Sequence, residues 1–414
     1  MRRAYPDPRE TDSVRAVRPL LSVDEALERV LERAHSLAPE TVSLDDAAGR
    51  VLAADAAATV DLPPFRSSAM DGFAVRVADC PGTLPVGVRI PAGRPASRPL
   101  GAGEAMGIST GAVVPDDADA VIPLELVADH GDRIDIPAAP AIGANIREIG
   151  GDVRRGDVVV ESGAILSAAH LAALAATGVG ELVCSRRPSV SMLVTGTELR
   201  PPGSPLRAGE IYESNGVMLA AELSRAGATV ERSGAVPDDP AAHRAALEQV
   251  LEADVVVSSG GVSAGPHDLV RTVAADLGVE EVFWGVAVRP GKPLSFAVRG
   301  RTLLFGLPGN PVSSLVGALL FVRPALLALQ GAREPGPVYR NGVLGAPVSR
   351  NPRREDFVRA RVDRSGDEDR LHPLSGQDSH MIVWASRADA LIRVPRGEDE
   401  LPAGARVRYL ELGC

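Results

Sequence analysis

At 414 residues the chain is longer than one hydrophobic core usually serves, so roughly two to four domains are expected. Hydrophobic residues at 45% and a mean hydropathy of +0.05 exclude wholesale disorder. Aromatics at 3% with a net charge of −10 disfavour a base-stacking platform and nonspecific binding to nucleic acid or anionic lipid, but local donors can still hold a small anion.

Residues 1–18 are polar, without the apolar core of a secretory signal, and read as a flexible tail. Over 22–35 the residues Val23, Ala26, Leu27, Val30 and Leu31 share one helical stripe. Ser22 and Glu25 form a capping box at its start. A second short helix is expected over 45–54, broken near Gly49. From 61 to 136 the texture turns to Pro, Gly and short β-branched runs, the pattern of a β-rich domain with long functional loops. Helix returns over 165–177 and stops at Gly178.

Between 189 and 331 strands and helices alternate. Strands are expected at 190–194, 228–232, 255–257 and 302–305, with a β segment at 284–288. Helices are expected at 215–225, 240–251, 268–277 and 312–329. Asp239 caps the second of these, with Pro240 at its first position. The 312–329 run contains Arg323 and Pro324 and reads as a buried amphipathic helix, not a membrane span. This alternation implies a mostly parallel sheet covered on both faces, and the residues after 331 read as a small β-barrel. The fold class is thus α/β plus β. The domains expected are a tail at 1–18, a helical linker domain at 19–56 with 156–178, whose first helix could pack on the α/β domain, a β-rich domain at 57–155, an α/β domain at 179–336 and a barrel at 337–414. Cys80, Cys184 and Cys414 lie far apart, as reduced cytoplasmic thiols do. The histidines form no metal-ligand cluster.

Two turns in the α/β region carry the chemistry: Ser258-Ser259-Gly260-Gly261-Val262-Ser263 and Gly306-Leu307-Pro308-Gly309-Asn310-Pro311-Val312-Ser313. A strand turning through small residues into a helix leaves backbone N–H groups that attract phosphate and other anions. Glycines 260, 261 and 309 let a ligand approach the backbone. Tight bends packing on the sheet are the alternative for either turn alone.

With these turns the chain resembles the molybdopterin molybdenumtransferase family, which includes MoeA and the E domain of gephyrin with its plant counterpart. The resemblance runs from about Leu20 to the C-terminus. It rests on eight motifs in order: Ser68-Ala69-Met70-Asp71-Gly72-Phe73-Ala74, Ser109-Thr110-Gly111-Ala112, Gly150-Gly151-Asp152, Thr195-Gly196-Thr197-Glu198-Leu199, Asp238-Asp239-Pro240, residues 258–263, Arg289-Pro290-Gly291-Lys292-Pro293 and residues 307–313. The resemblance implies an elongated, four-domain subunit of a cytoplasmic homodimer. It also implies a doubly wound molybdopterin-binding domain, and the insertion of molybdate into adenylylated molybdopterin with release of AMP and help from Mg²⁺. The adenylyltransferase and acceptor molybdoenzymes are implied as further partners.

Residue by residue, Ser259, Gly260, Gly261, Ser263, Pro308, Gly309 and Asn310 are expected to hold substrate, and Ser313, Arg354 and Ser379 to lie near molybdate. Lys292 sits on a stiff Pro/Gly frame as a point charge for an oxyanion. Arg289 stands where many family members carry lysine. Arg354 reads equally as a solvated arginine. Asp71, Asp152, Glu198, Asp238 and Asp268 are loop carboxylates, and hard oxygens of this kind suit Mg²⁺. The resemblance puts Asp238 and Asp268 at the metal and Glu198 beside substrate. It brings Asp71 and Thr110 in from the partner subunit, to position the adenylylated end or a water. Asp239 serves equally as a cap or a ligand, and Asp268 likewise opens a helix. No Ser/His/Asp nucleophile set is evident, and His267 reads as an exposed loop residue. Two other functions stay open: molybdopterin adenylyltransferase, which the barrel and β-rich regions argue against, and a non-catalytic molybdopterin carrier or scaffold.

Overall fold

The computed structural model describes residues 19–233, 239–260 and 269–413. The 1–18 tail, Asp238, Gly261, Ser263, His267, Asp268 and Cys414 therefore lie outside the described residues. The chain divides into two compact units, Glu40–Cys184 and Met1–Pro39 with Ser185–Cys414.

The Glu40–Cys184 unit has a six-stranded sheet in the order Ala120–Pro123, Gly72–Val75, Ala105–Ile108, Gly82–Ile90, Arg133–Ile136, Ala128–Asp129. Alternation along Gly72–Val75 sends Phe73 and Val75 into one apolar cluster and Ala74 into another, so both faces of the sheet are covered. A third cluster joins Leu52, Val160, Leu166 and Leu182 to Leu174 of the helix Ala168–Ala176. Ser167 caps that helix, and Gly178 follows it at φ +80°.

The helix expected over 45–54 is not formed. Ser43 caps only a single 3-10 turn, Leu44–Asp46, and Gly49 then turns left-handed at φ +70°. Val51 and Leu52 go on to bridge Ile165 and Cys184. Burial of these two side chains is better served by extended backbone than by a second helical turn.

The other unit is built on a sheet ordered Thr229–Arg232, Ser189–Val194, Val255–Ser259, Thr302–Leu307, Ser295–Arg299, Glu280–Trp284. The first four strands run parallel and the last two pairings are antiparallel. Ser295–Arg299 is a strand that the sequence reading passes over. The continuous run Pro311–Leu329 is apolar and long enough to cross a membrane, but 78% of its most apolar window is buried inside the protein, as in a core helix. Val23, Ala26 and Val30 of the capped helix Val23–Leu31 join the same core as Leu326 and Leu329.

After this sheet the chain closes a five-stranded barrel. Glu355–Asp363 pairs with Arg370–Pro373 and with Ala390–Val394. The ring is completed through Arg340–Leu344 and Arg406–Glu411, around Leu344, Ala360, Leu371, Ile392 and Tyr409. The two-residue strand Val288–Arg289 pairs in parallel with Glu355 and Asp356, which ties the barrel to the segment that leads into Lys292.

Candidate active site

Parallel register places Val194, Ser259 and Leu307 side by side, so the next residue of each strand leaves the sheet at one edge. There the Thr195 N–H donates to the Ser259 carbonyl at 3.3 Å and the Gly260 N–H to the Leu307 carbonyl at 3.1 Å. Gly260 has φ +90°, and a Cβ on it would lie 3.0 Å from both oxygens of Thr195, so the turn admits glycine alone. A Cβ on Gly309 would lie 3.8 Å from the Gly260 Cα. The two glycine turns singled out in the sequence are thus neighbours in space. Ser259 and Pro308 are buried, while Gly309 and Asn310 are exposed.

Asn215, at the start of the helix Asn215–Arg225, joins the turns. Its Nδ2 donates to Ser259 Oγ and to the Gly309 carbonyl, both at 2.8 Å. Sequence reasoning treats Asn215 only as a helix opening; the signal available was an amide one residue after a serine, beside a glycine. Not every turn donor is open to a ligand. The Val312 N–H donates to the Ser379 carbonyl at 3.0 Å, and the Gly260 N–H is spent as described above. Pairing with Ser379 brings the barrel loop onto the first turn of the helix that contains Ser313.

The cationic segment lies against the same helix turn. Gly291, at φ +117°, approaches the Ser313 carbonyl so that an added Cβ would be 3.6 Å away. Lys292 is exposed, its carbonyl accepting from Val286 N–H at 3.0 Å. Arg289 forms an ion pair with Asp356. The Arg289 side chain is half-exposed and that of Asp356 is 2% exposed, and the buried Asp356 Oδ1 has no hydrogen-bond partner. Burial pushes the Asp356 carboxyl up, against the pull of Arg289 and of Arg354 beyond it. Arg354 is half-buried and its N–H donates to Asn351 Oδ1 at 3.1 Å. Glu198 folds back over the turn after Thr195, where a Cβ on Gly196 would meet its Oε2 at 2.8 Å. One unit therefore brings Ser259, Gly260, Pro308, Gly309 and Asn310 together and stacks Ser313, Ser379 and the Arg289–Lys292 segment along the adjoining helix turn.

In the Glu40–Cys184 unit, Asp71 and Thr110 meet directly. Asp71 Oδ1 accepts the Thr110 N–H at 3.0 Å and Oδ2 its hydroxyl at 2.9 Å. These bonds, the backbone one first, hold the Asp71 carboxyl below its ordinary range although it is exposed. Ser68 ties the two loops through Gly111 N–H at 2.8 Å, and its hydroxyl donates to the Met70 carbonyl at 2.6 Å. Asp152 stands on the separate Gly150–Gly151 turn, which backbone bonds to Leu62 and Pro63 hold in place; its carboxyl is exposed. Among the described residues no three His, Cys, Asp or Glu side chains converge as a metal site. The two aspartates expected to bind Mg²⁺, 238 and 268, are outside them.

Known proteins resemble this chain along nearly its whole length. Its residues 21–178 match the MoeA N-terminal region (domain I and II), 191–328 a probable molybdopterin binding domain and 341–412 the MoeA C-terminal region (domain IV). Molybdopterin molybdenumtransferase 2 of Mycobacterium tuberculosis is 37% identical over 94% of this chain and 99% of its own. The molybdopterin molybdenumtransferase of Haemophilus influenzae is 34% identical over 94% and 98%. Two structures of the molybdopterin biosynthesis MoeA protein from Pyrococcus horikoshii superpose with TM-scores of 0.78 and 0.81, at 31% and 28% identity, over 95% of this chain and 100% of each. The chain belongs to the MoeA family of molybdopterin molybdenumtransferases, transferases of molybdenum cofactor biosynthesis.

Proposed function

We propose that this transferase inserts molybdate into adenylylated molybdopterin and releases AMP. The observation that carries the reading is the contact between the Gly260 and Gly309 turns beside the Arg289–Lys292 segment. Two adjoining backbone turns suit an extended phosphorylated ligand, and cationic residues along the next helix turn suit a tetrahedral dianion. Displacement at phosphorus depends mainly on alignment and on charge stabilisation, so a positioned anion pocket fits the chemistry without a side-chain nucleophile.

In this reading the turns hold the pterin and phosphate ends, and Lys292 with Arg289 and Arg354 neutralises the oxyanion. Asp71, kept ionised by Thr110, is brought in by the second subunit of the dimer and positions the adenylylated end or a water. Glu198, folded back over the turn after Thr195, is the further acid beside substrate. Asp238 and Asp268 would hold Mg²⁺, whose chemistry is to screen phosphate charge. A homodimer is part of the proposal, and sedimentation at working concentration checks it.

The deciding assay supplies adenylylated molybdopterin and follows AMP. Release that begins only when molybdate is added is the expected result. Adenylylation of molybdopterin from ATP without metal uptake would favour an adenylyltransferase, and binding with no release would favour a carrier. Repeating the assay with Asp71→Ala tests the acid: the variant should bind substrate and release no AMP.

A further inference from the structure

The tetrapeptide Glu213-Ser214-Asn215-Gly216 opens a helix, and every part of it except Ser214 is pinned. Glu213 Oε1 accepts the Gly216 N–H at 2.5 Å and Oε2 accepts Arg232 Nη2 at 2.7 Å, on a side chain only 11% exposed. A Cβ on Gly216 would stand 2.7 Å from Glu213 Oε2 and 3.1 Å from Arg232 Nε, so a larger residue there would displace this ion pair. The Asn215 backbone is consequently held in one place and delivers its amide to one place. A carbonyl oxygen can only accept, so the amide atom facing the Gly309 carbonyl must be nitrogen, which fixes the flip of the side chain. The same nitrogen meets Ser259 Oγ. Ser259 is 3% exposed and serves as the fixed end. Gly309, in an exposed turn, is the end whose place depends on the clip.

We infer that Asn215 is a positioning residue that sets the distance between the two turns, so that they match a ligand with two ends. The inference rests on the reading of the turns given above. A ligand that engages both turns gains the second contact as an intramolecular event only if the spacing fits. A fragment that engages one turn is indifferent to the spacing. Loss of the clip therefore penalises the whole ligand much more than either half, a pattern that a general loss of structure would not produce.

The test uses the full chain and the near-isosteric Asn215→Asp, which removes both donors and sets a carboxylate against the Gly309 carbonyl. Calorimetry with adenylylated molybdopterin should show affinity reduced about tenfold or more, the scale of two lost hydrogen bonds. Inorganic phosphate alone, which engages one turn, should lose less than about threefold by the same bookkeeping. Thermal unfolding is recorded alongside, and Asn215→Ala, which adds no charge, replaces the aspartate variant if that one fails to fold. Unchanged affinity for the whole ligand, or the same proportional loss for inorganic phosphate, overturns the clip. Wild-type protein that binds neither compound overturns the reading of the turns themselves.

Discussion

The turns around Gly260 and Gly309 and the loop around Asp71 both present polar atoms, yet they are held by opposite means. The first are fixed from beneath, by a buried serine, a parallel register and an amide reaching from a neighbouring helix. The second is fixed by two bonds between exposed residues of two loops, 39 positions apart in the sequence. Burial suits a cradle whose value lies in unchanging distance. Hydrogen bonding at the surface suits an acid that must stay ionised and reachable, since donors to a carboxylate favour its charged form without removing it from water.

The sharpest way to break this comparison is to attack the backbone under Asp71. A Cβ on Gly72 would lie 2.0 Å from the Ile122 carbonyl oxygen, with no flexible side chain to yield. Gly72→Ala should cost about 3 kcal/mol or more, in the range of severe overpacking, read as a drop in denaturation midpoint. A wild-type midpoint would mean that the adjoining strand is free to move.

Next in size is the cation segment. Arg289→Ala leaves Asp356 buried without its counter-charge, and the expected loss is about 2 kcal/mol. That is below the cost of breaking a fully buried pair, because the arginine is half-exposed. The pH dependence has a definite sign. Burial already raises the Asp356 carboxyl, so its contribution to stability is present at low pH and lost as pH rises through the folded value. The variant should therefore be furthest below wild type at neutral pH and recover part of the gap in acid. A gap independent of pH would contradict the pairing.

The smallest effect concerns the exposed loop. Thr110→Val removes the hydroxyl donor and leaves the backbone donor, so the Asp71 carboxyl should rise part of the way to its ordinary range, seen by NMR titration of the side-chain carbon. For a lowered carboxylate the stabilisation is present above the ordinary range and lost as pH falls through the folded value. The variant should shed this contribution at higher pH than wild type does. An unmoved titration would mean that the backbone bond acts alone.

Much of this was legible in the chain itself. Strand-to-helix turns at Ser258 and Gly306 announce themselves by a β-branched or apolar run followed by glycine, and their adjacency follows from parallel topology. The helix caps at Ser22 and Asp239 were equally plain. Other features depend on contacts distant in sequence. No periodicity links Asn215 to Gly309, or Arg289 to a buried Asp356, because each pairing arises from tertiary packing. The strand Ser295–Arg299 could have been found, since Gly300-Arg301 is a two-residue hairpin link with φ +59° at the glycine. The 45–54 segment misleads because its polar start favours a helical turn and its burial requirement overrides it.

The central claim is that the adjoining turns are a ligand cradle, and Gly309 tests it most directly. A methyl group there would meet only an ordinary contact, 3.8 Å from the Gly260 Cα, so Gly309→Ala should unfold within about 1 kcal/mol of wild type. On the proposed reading the same group would stand between the two turns, in the way of substrate. Affinity for adenylylated molybdopterin, measured by calorimetry on that folded variant, should fall by about tenfold or more, the scale of a lost contact in a tight site. Affinity equal to wild type would show that the substrate binds elsewhere.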